Sequence, residues 1–490
     1  MATLPKSRRG AVSLVALCLA AALAIALASY ITIALRSLAF SDRNFQNNRT
    51  RELAETGLEA ALFALNNADW TTDGWSDLTD ALNTHDPLNP TDTSRVAPQN
   101  GAHIHFAFGT AAPFDSDNDA SADDRQWATT FSLDQGVTGY VGVVVTNAAS
   151  STPTIVSVGM IILPSGEKLT CRLQSPARRA SLFPNAIGCT STSSTRAIRF
   201  RDAGLVDSWH GNPTGSARVD YSYSASAANN HLAIITAPTI TLQSADVRGY
   251  VALPASATVS KTTSAEVYGA SSSGWNSTRV SSNHFQPLFT VNTISGGTTY
   301  ADSDWDNASL ATGTYRGTNI NLGANEELTI TGDVVISLSG TLTLGGTSAS
   351  GGRIVIRSGA SLRIHIQGDL ILGSNTSSAM SRGIVNETKD PSKCVIIGSD
   401  TGNDTPTIYA EPAGGLYACI YMPFDGITIY STPFEFYGSI VASTVYFNVT
   451  GTTNMPLLHY DLALRDFVVD TTSINTPFLL TALTALSSMP

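Results

Sequence analysis

The hydrophobic pattern changes period three times along the chain. An unbroken run without a charged residue extends from Ala11 to Leu35, preceded by Lys6, Arg8, Arg9 and Gly10 and followed by Arg36. As a helix this run spans about 37 Å, enough to cross a bilayer with some tilt. Positive charge ahead of the run favours an N-terminus inside and the bulk of the chain outside. Beyond Arg36 no proline and only one glycine, Gly57, occur before Asn67. Leu53, Gly57, Ala61 and Leu65 recur at four-residue spacing with Leu58 and Leu62 alongside, while Arg43, Asn47, Arg51 and Glu55 fill another face. This period predicts that the apolar helix continues outward as one amphipathic helix ending near Asn66-Asn67.

A second grammar follows. Residues 69–100 are rich in Asp, Thr, Asn and Pro without periodicity and read as a loop. Short alternations then appear at Ile104 and Phe106, at 128–131, 140–145 and 154–162, and at 168–173 after the turn Pro164-Ser165-Gly166. They predict a small antiparallel sheet within 69–180. From 181 to 466 brief apolar triplets alternate with Gly, Asn, Ser and Thr, most clearly from Ile320 to Leu372. Strands this short cannot bury a face alone, so stacking into a β-helix or similar solenoid is the expected architecture, with a β-sandwich as the alternative. A Ser/Thr/Gly/Asn-rich stretch near 255–313 reads as an insert or long connection, and 467–490 as a tail. Its apolar part, Leu479 to Leu486, is too short for a membrane span. The expected fold class is therefore mainly β with one long N-terminal helix.

Composition narrows the function classes. A net charge of −11 with no basic stripe argues against nucleic acid as a partner. Only 14% of residues are charged, a balance that suits a β-rich extracytoplasmic protein. Cys18 lies in the apolar run; Cys171, Cys189, Cys394 and Cys419 are too widely spaced for a zinc knuckle, and either two disulfides or four buried thiols satisfy their number. Asp115, Asp117 and Asp119 alternate in a polar loop, an oxygen set suited to calcium. Ala120 and Gln126 depart from the EF-hand pattern, and a solvated acidic loop is the plainer reading.

The order Arg9-Gly10-Ala11-Val12-Ser13-Leu14, the long apolar helix and the segment Leu53-Ala54-Glu55-Thr56-Gly57-Leu58-Glu59-Ala60-Ala61 resemble the N-terminal region of PilX-type minor pilins and related pseudopilins. The resemblance implies a leader cut between Gly10 and Ala11 by a prepilin peptidase. It implies a pilin-like unit of helix plus small sheet, with other pilin or pseudopilin subunits and the inner membrane as partners. Glu55 and Gly57 belong to the assembly helix. Val15 stands where pilins carry a glutamate, and its loss is a feature of type II secretion K-family pseudopilins at filament tips. A tip or low-abundance subunit is therefore the expectation. A plain signal anchor remains the alternative.

The second half resembles a β-helical ectodomain of PilX-like surface proteins in Ile420-Tyr421-Met422-Pro423, Phe436-Tyr437-Gly438, the following Ser439-Ile440-Val441-Ala442 and the closing His459-Tyr460-Asp461. Val206-Asp207-Ser208-Trp209 resembles an Asp-Ser motif early in the same domain. The display of this module implies adhesion or secretion roles, with a surface polysaccharide or a protein as ligand. A carbohydrate-active β-helix enzyme is the sharper alternative. The strong rungs carry few carboxylates, and no HExxH, P-loop or GxSxG occurs. His459 and Asp461 share a strand face and read as a hydrogen-bonded structural pair that closes the solenoid. His103 and His105 also share a face, without a visible third metal ligand. The expectation is a non-enzymatic protein that needs no cofactor beyond the candidate calcium.

Overall fold

The computed structural model describes residues 6–67, 125–133, 137–146, 152–191, 197–209, 231–255, 257–269, 274–283, 286–292, 294–345, 351–373, 383–398, 406–409, 415–430, 434–450, 455–469, 474, 476–481 and 484–486. The chain divides into two compact units, one formed by 1–179 with 477–490 and the other by 180–476.

In the first unit one continuous helix, α1 (Lys6–Asn67), contains both the apolar run and the amphipathic stripe. Its length of 62 residues corresponds to about 93 Å. Large apolar side chains from Leu14 to Phe40 are exposed on the helix, and this single apolar segment is a candidate membrane anchor or signal sequence. The outer half packs on an antiparallel meander of β1 (Arg125–Ser132), β2 (Thr138–Thr146), β3 (Thr154–Ile162) and β4 (Lys168–Arg179). Leu53, Ala54, Leu58, Ala61 and Leu65 are buried against Val141, Val143, Ile155, Ile161 and Leu173, so the four-residue stripe is the packing face. Each fully buried leucine contributes about 1.5–3 kcal/mol.

Two glycines set how closely helix and sheet approach. A Cβ at Gly57 would meet Ser157 Oγ, with Val141 Cγ1 and Val143 Cγ2 each at 2.7 Å. A Cβ on Gly159 of β3 would meet the Thr50 carbonyl oxygen and, at 2.6 Å, the Ala54 nitrogen. The far end of α1 is closed by Asn66, whose side chain bonds the backbone N–H and carbonyl of Phe478. The residues read as a tail thus return to this unit: Phe478–Leu480 and Thr484–Leu486 both pair antiparallel with β4. An apolar strand too short for a membrane span buries Phe478 at the edge of the sheet.

The second unit is a three-sided parallel solenoid. One turn shows the pattern: Glu327–Ile330 lies in sheet 1, Asp333–Leu338 in sheet 2 and Leu342–Leu344 in sheet 3. The next turn repeats it in register with Arg353–Ile356, Ser361–Ile366 and Leu370–Leu372. Alternation places Leu328, Ile330, Val334, Ile336, Leu342 and Leu344 in one continuous core, where each rung supplies the apolar face its neighbour lacks. Two long strands, Leu416–Ile429 and Glu435–Phe447, run through both sheets 2 and 3 with a register shift between Met422 and Gly426.

Rung order differs from chain order. The first strands of the unit, Ile187–Cys189 and Ile198–Phe200, stack on Glu435–Phe447, which comes near its end. Leu205–Trp209 stacks on Leu457–Asp461 in the same way. The stack then continues outward through Ala233–Thr236, Asp246–Ala252 and Glu266–Tyr268. The chain next returns along the flank, with Gln286 bonded to Asn185 and the backbone of Phe289 bonded to the Tyr421 hydroxyl. It begins the opposite end at Thr298–Thr299. The stretch 255–313, expected as an insert or long connection, therefore supplies strands at both ends of the solenoid as well as the connection between them. Its Ser/Thr/Gly composition reflects end rungs with few neighbours to bury.

All five cysteines are free thiols; Cys189, Cys394 and Cys419 are buried in the solenoid, and burial pushes Cys394 up to about 12.

Candidate functional site

The strongest concentration of polar chemistry lies on the outward face of sheet 2, where parallel register stacks one residue per rung. Tyr417 pairs with Tyr437, Tyr437 with His459, and His459 with Asp207. Val206 pairs with Val247, which brings Arg248 beside Asp207, and Arg248 pairs with Tyr268. Six side chains from six different strands thus form one ladder, and the register of the solenoid alone places them.

Asp207 and His459 are fully buried and 252 residues apart in sequence, with His459 Nδ1 2.6 Å from Asp207 Oδ1. The other carboxylate oxygen of Asp207 is 3.9 Å from Arg248 Nη1, whose side chain is 28% exposed. On the far edge of the imidazole, Nε2 is 3.9 Å from Glu435 Oε1. Tyr437 donates to Glu435 Oε1 at 2.6 Å, stacks on Tyr417 at 4.2 Å and touches the His459 ring at 4.8 Å. Trp209 meets Tyr437 edge-on at 5.5 Å. Arg248 Nε donates to the Tyr268 hydroxyl at 2.9 Å. Burial and the Glu435 carboxylate raise the Tyr437 phenol, and burial holds Tyr417 at about 12. Asp246, half-buried and in register with Glu266, is pushed up to about 6 by desolvation and by that second carboxylate.

Chemically this is a buried Asp–His pair with a guanidinium behind the carboxylate and a carboxylate in front of the imidazole. Both ring edges face carboxylates, whereas a nucleophile relay needs a hydroxyl or thiol at one of them. The geometry instead ties the first strands of the unit to its last.

The expected His459–Asp461 bond is replaced. His459 turns to Asp207, and Asp461 Oδ1 accepts from the Ala463 N–H at the start of the short helix Leu462–Asp466. Between them, the Tyr460 hydroxyl donates to the Phe183 carbonyl. Residues on alternate positions of one strand share a face, but the parallel neighbour lies nearer than the next-but-one residue.

In the first unit Gly10 and Ala11 lie inside α1, and Val15 is exposed on it. Glu55 is half-exposed and bonded to Arg51 at 2.8 Å, while Gly57 faces the sheet. Arg43 reaches Glu167 in the turn before β4 at 3.2 Å. The candidate calcium ligands Asp115, Asp117 and Asp119 and the pair His103 and His105 lie outside the described residues. Sequence reasoning missed Asp207 as the partner of His459, and missed Arg248 and the tyrosine stack. The available signal was an aspartate amid the apolar strand Leu205–Trp209, which requires a buried partner.

Residues 258–467, less than half of the chain, match a family model described as a domain of unknown function (DUF7305). No curated protein and no solved structure matches the chain. The matched segment carries Tyr268, Tyr417, Tyr437 and His459 of the ladder and Glu435 beside it; Asp207 and Arg248 lie before it.

Proposed function

We propose that the chain is a non-enzymatic, minor pilin- or pseudopilin-like surface protein, assembled through α1 and displaying the solenoid for a tip, adhesive or secretion role. In this reading a prepilin peptidase cuts between Gly10 and Ala11. The apolar half of the helix sits in the inner membrane with its N-terminus inside, then packs with the helices of other pilin subunits. The observation that carries it is the continuity of α1: the exposed apolar segment passes without a break into the stripe that docks on an antiparallel sheet. A plain anchor has no need of such a continuation. The absence of catalysis in this reading is supported by the burial of Asp207 and His459.

The test is mass spectrometry of the native N-terminus in cells with and without the prepilin peptidase. A terminus at Ala11 that disappears with the peptidase is expected. An intact Met1, or a cut beyond Ser29, sinks the pilin reading and leaves an anchored or secreted solenoid.

A further inference from the structure

The outward face of sheet 3 also carries one residue per rung. In register across successive parallel strands lie Thr343, Ile371, Thr407, Thr428, Tyr446 and Arg199. All six are partly exposed, whereas the residues flanking each of them in its strand are buried in the core. At strand spacing the row covers about 24 Å. Beside it, on the turns that leave the same strands, Tyr409 stacks on Tyr430 at 4.9 Å and 13°, and Tyr430 is 39% exposed. The row continues as Asn448 and Arg201. The Tyr446 hydroxyl donates to Asn448 Oδ1 at 3.1 Å, and Arg201 donates to the same oxygen at 2.7 Å. Arg199 lies over the Tyr446 ring at 4.7 Å.

Two features of this face point to a ligand. It presents hydroxyls, one amide and tyrosine rings at a regular spacing, suited to a linear polymer whose units each offer hydroxyls and a C–H face. It also holds the guanidiniums of Arg199 and Arg201, neither ion-paired to a carboxylate among the described residues, in a chain with a net charge of −11. By contrast, the arginines of sheet 1 are neutralised: Arg353 and Arg357 bond Glu327 and Glu387 at 2.6 Å. A cationic spot without a carboxylate ion pair among the described residues, on an acidic protein, suits an anionic partner.

We propose that this face of sheet 3 binds an anionic polysaccharide, laid along the stack with a sugar ring on the exposed Tyr430 and carboxylates on Arg199 and Arg201. The inference rests on the reading of the solenoid as a displayed module. The N-terminal cut is measured separately, so either idea can fail alone.

The experiment uses the full chain in detergent micelles and measures binding to polygalacturonate and to neutral hydroxyethyl cellulose. The expected result is binding to polygalacturonate that weakens with salt, with little for the neutral glucan. Arg199→Gln combined with Arg201→Gln should weaken it about tenfold through loss of charge-assisted contacts. Tyr430→Ala, at an exposed ring, tests the face independently and should weaken binding too. Arg353→Gln on sheet 1 should leave it unchanged. No binding to polygalacturonate, equal binding of the neutral glucan, or full binding by folded arginine variants would overturn the proposal.

Discussion

At the residue scale the buried Asp207–His459 pair carries a large penalty if either partner is removed. Removing one partner leaves the other buried without its partner, which costs about 3–5 kcal/mol. Asp207→Ala should therefore destabilise strongly in denaturant melts. Arg248→Gln acts at a longer, partly exposed contact and should cost about 1 kcal/mol or less. The double variant Asp207→Leu with His459→Phe should recover much of the loss, and a double-mutant cycle would measure the coupling. Additive losses would contradict the pairing. Two other groups give a pH signature of opposing signs. His365 is buried, and desolvation together with Arg363 lowers it to about 4. The unfolded chain takes up its proton first on acidification, so stability falls as pH drops from about 6.5 to about 4. Asp246, raised to about 6, does the reverse: its proton stays on the native state, and stability falls as pH rises from about 4 to about 6. The wild-type profile in this window should be shallow. Asp246→Asn should steepen the acid loss, and His365→Leu should invert the slope; melting temperatures from pH 4 to 7 read both. Burial beside a second carboxylate, not any local motif, produces the Asp246 effect, which is why such a site is illegible until register is known.

At the element scale the contact of α1 with its sheet turns on Gly57 and Gly159, which differ in what a methyl group would meet. At Gly57 the obstacles are the buried side chains of Ser157, Val141 and Val143, which must repack, and alanine brings about 1 kcal/mol of helix propensity in return. At Gly159 the obstacles are backbone atoms of Thr50 and Ala54, which cannot shift without moving the helix. Gly159→Ala should therefore cost more than Gly57→Ala, by about 1–3 kcal/mol for overpacking, measured by thermal melts of the full chain in detergent. Equal stability of the two variants would argue against this docking geometry. The helix was legible because a 3.6-residue period sustained from Leu53 to Leu65 admits one explanation, and the solenoid because triplets with apolar first and third residues, such as Leu342-Thr343-Leu344 and Leu362-Arg363-Ile364, recur between glycines from Ile320 to Leu372. The edge strand at Phe478–Leu480 was not legible. Three apolar residues carry no period, and only the exposed edge of β4 makes them a strand.

At the scale of the whole molecule, rung order decides which segments can stand alone. The family match begins at 258, yet the strands that cap Glu435–Phe447 and Leu457–Asp461 are Ile187–Cys189, Ile198–Phe200 and Leu205–Trp209, all before that point. Cutting at 258 also strips Val259–Lys261 of Ile240–Gln243 and Glu266–Tyr268 of Asp246–Ala252. The shortened segment would lose the junction between its two stacks and expose unpaired edges and core residues such as Ile440 and Val445, a template for aggregation. Local repeats give the rungs but cannot give this order, since every triplet of similar composition is an acceptable neighbour for every other. Residues 180–476 expressed alone should therefore run as a monomer on size exclusion and melt in one cooperative step. Residues 258–467 should aggregate or melt without cooperativity, and adding the 180–257 segment in trans should restore part of the amide protection in 435–461. A monomeric, cooperative 258–467 would mean that the late strands close on one another and that Asp207 is dispensable to the fold.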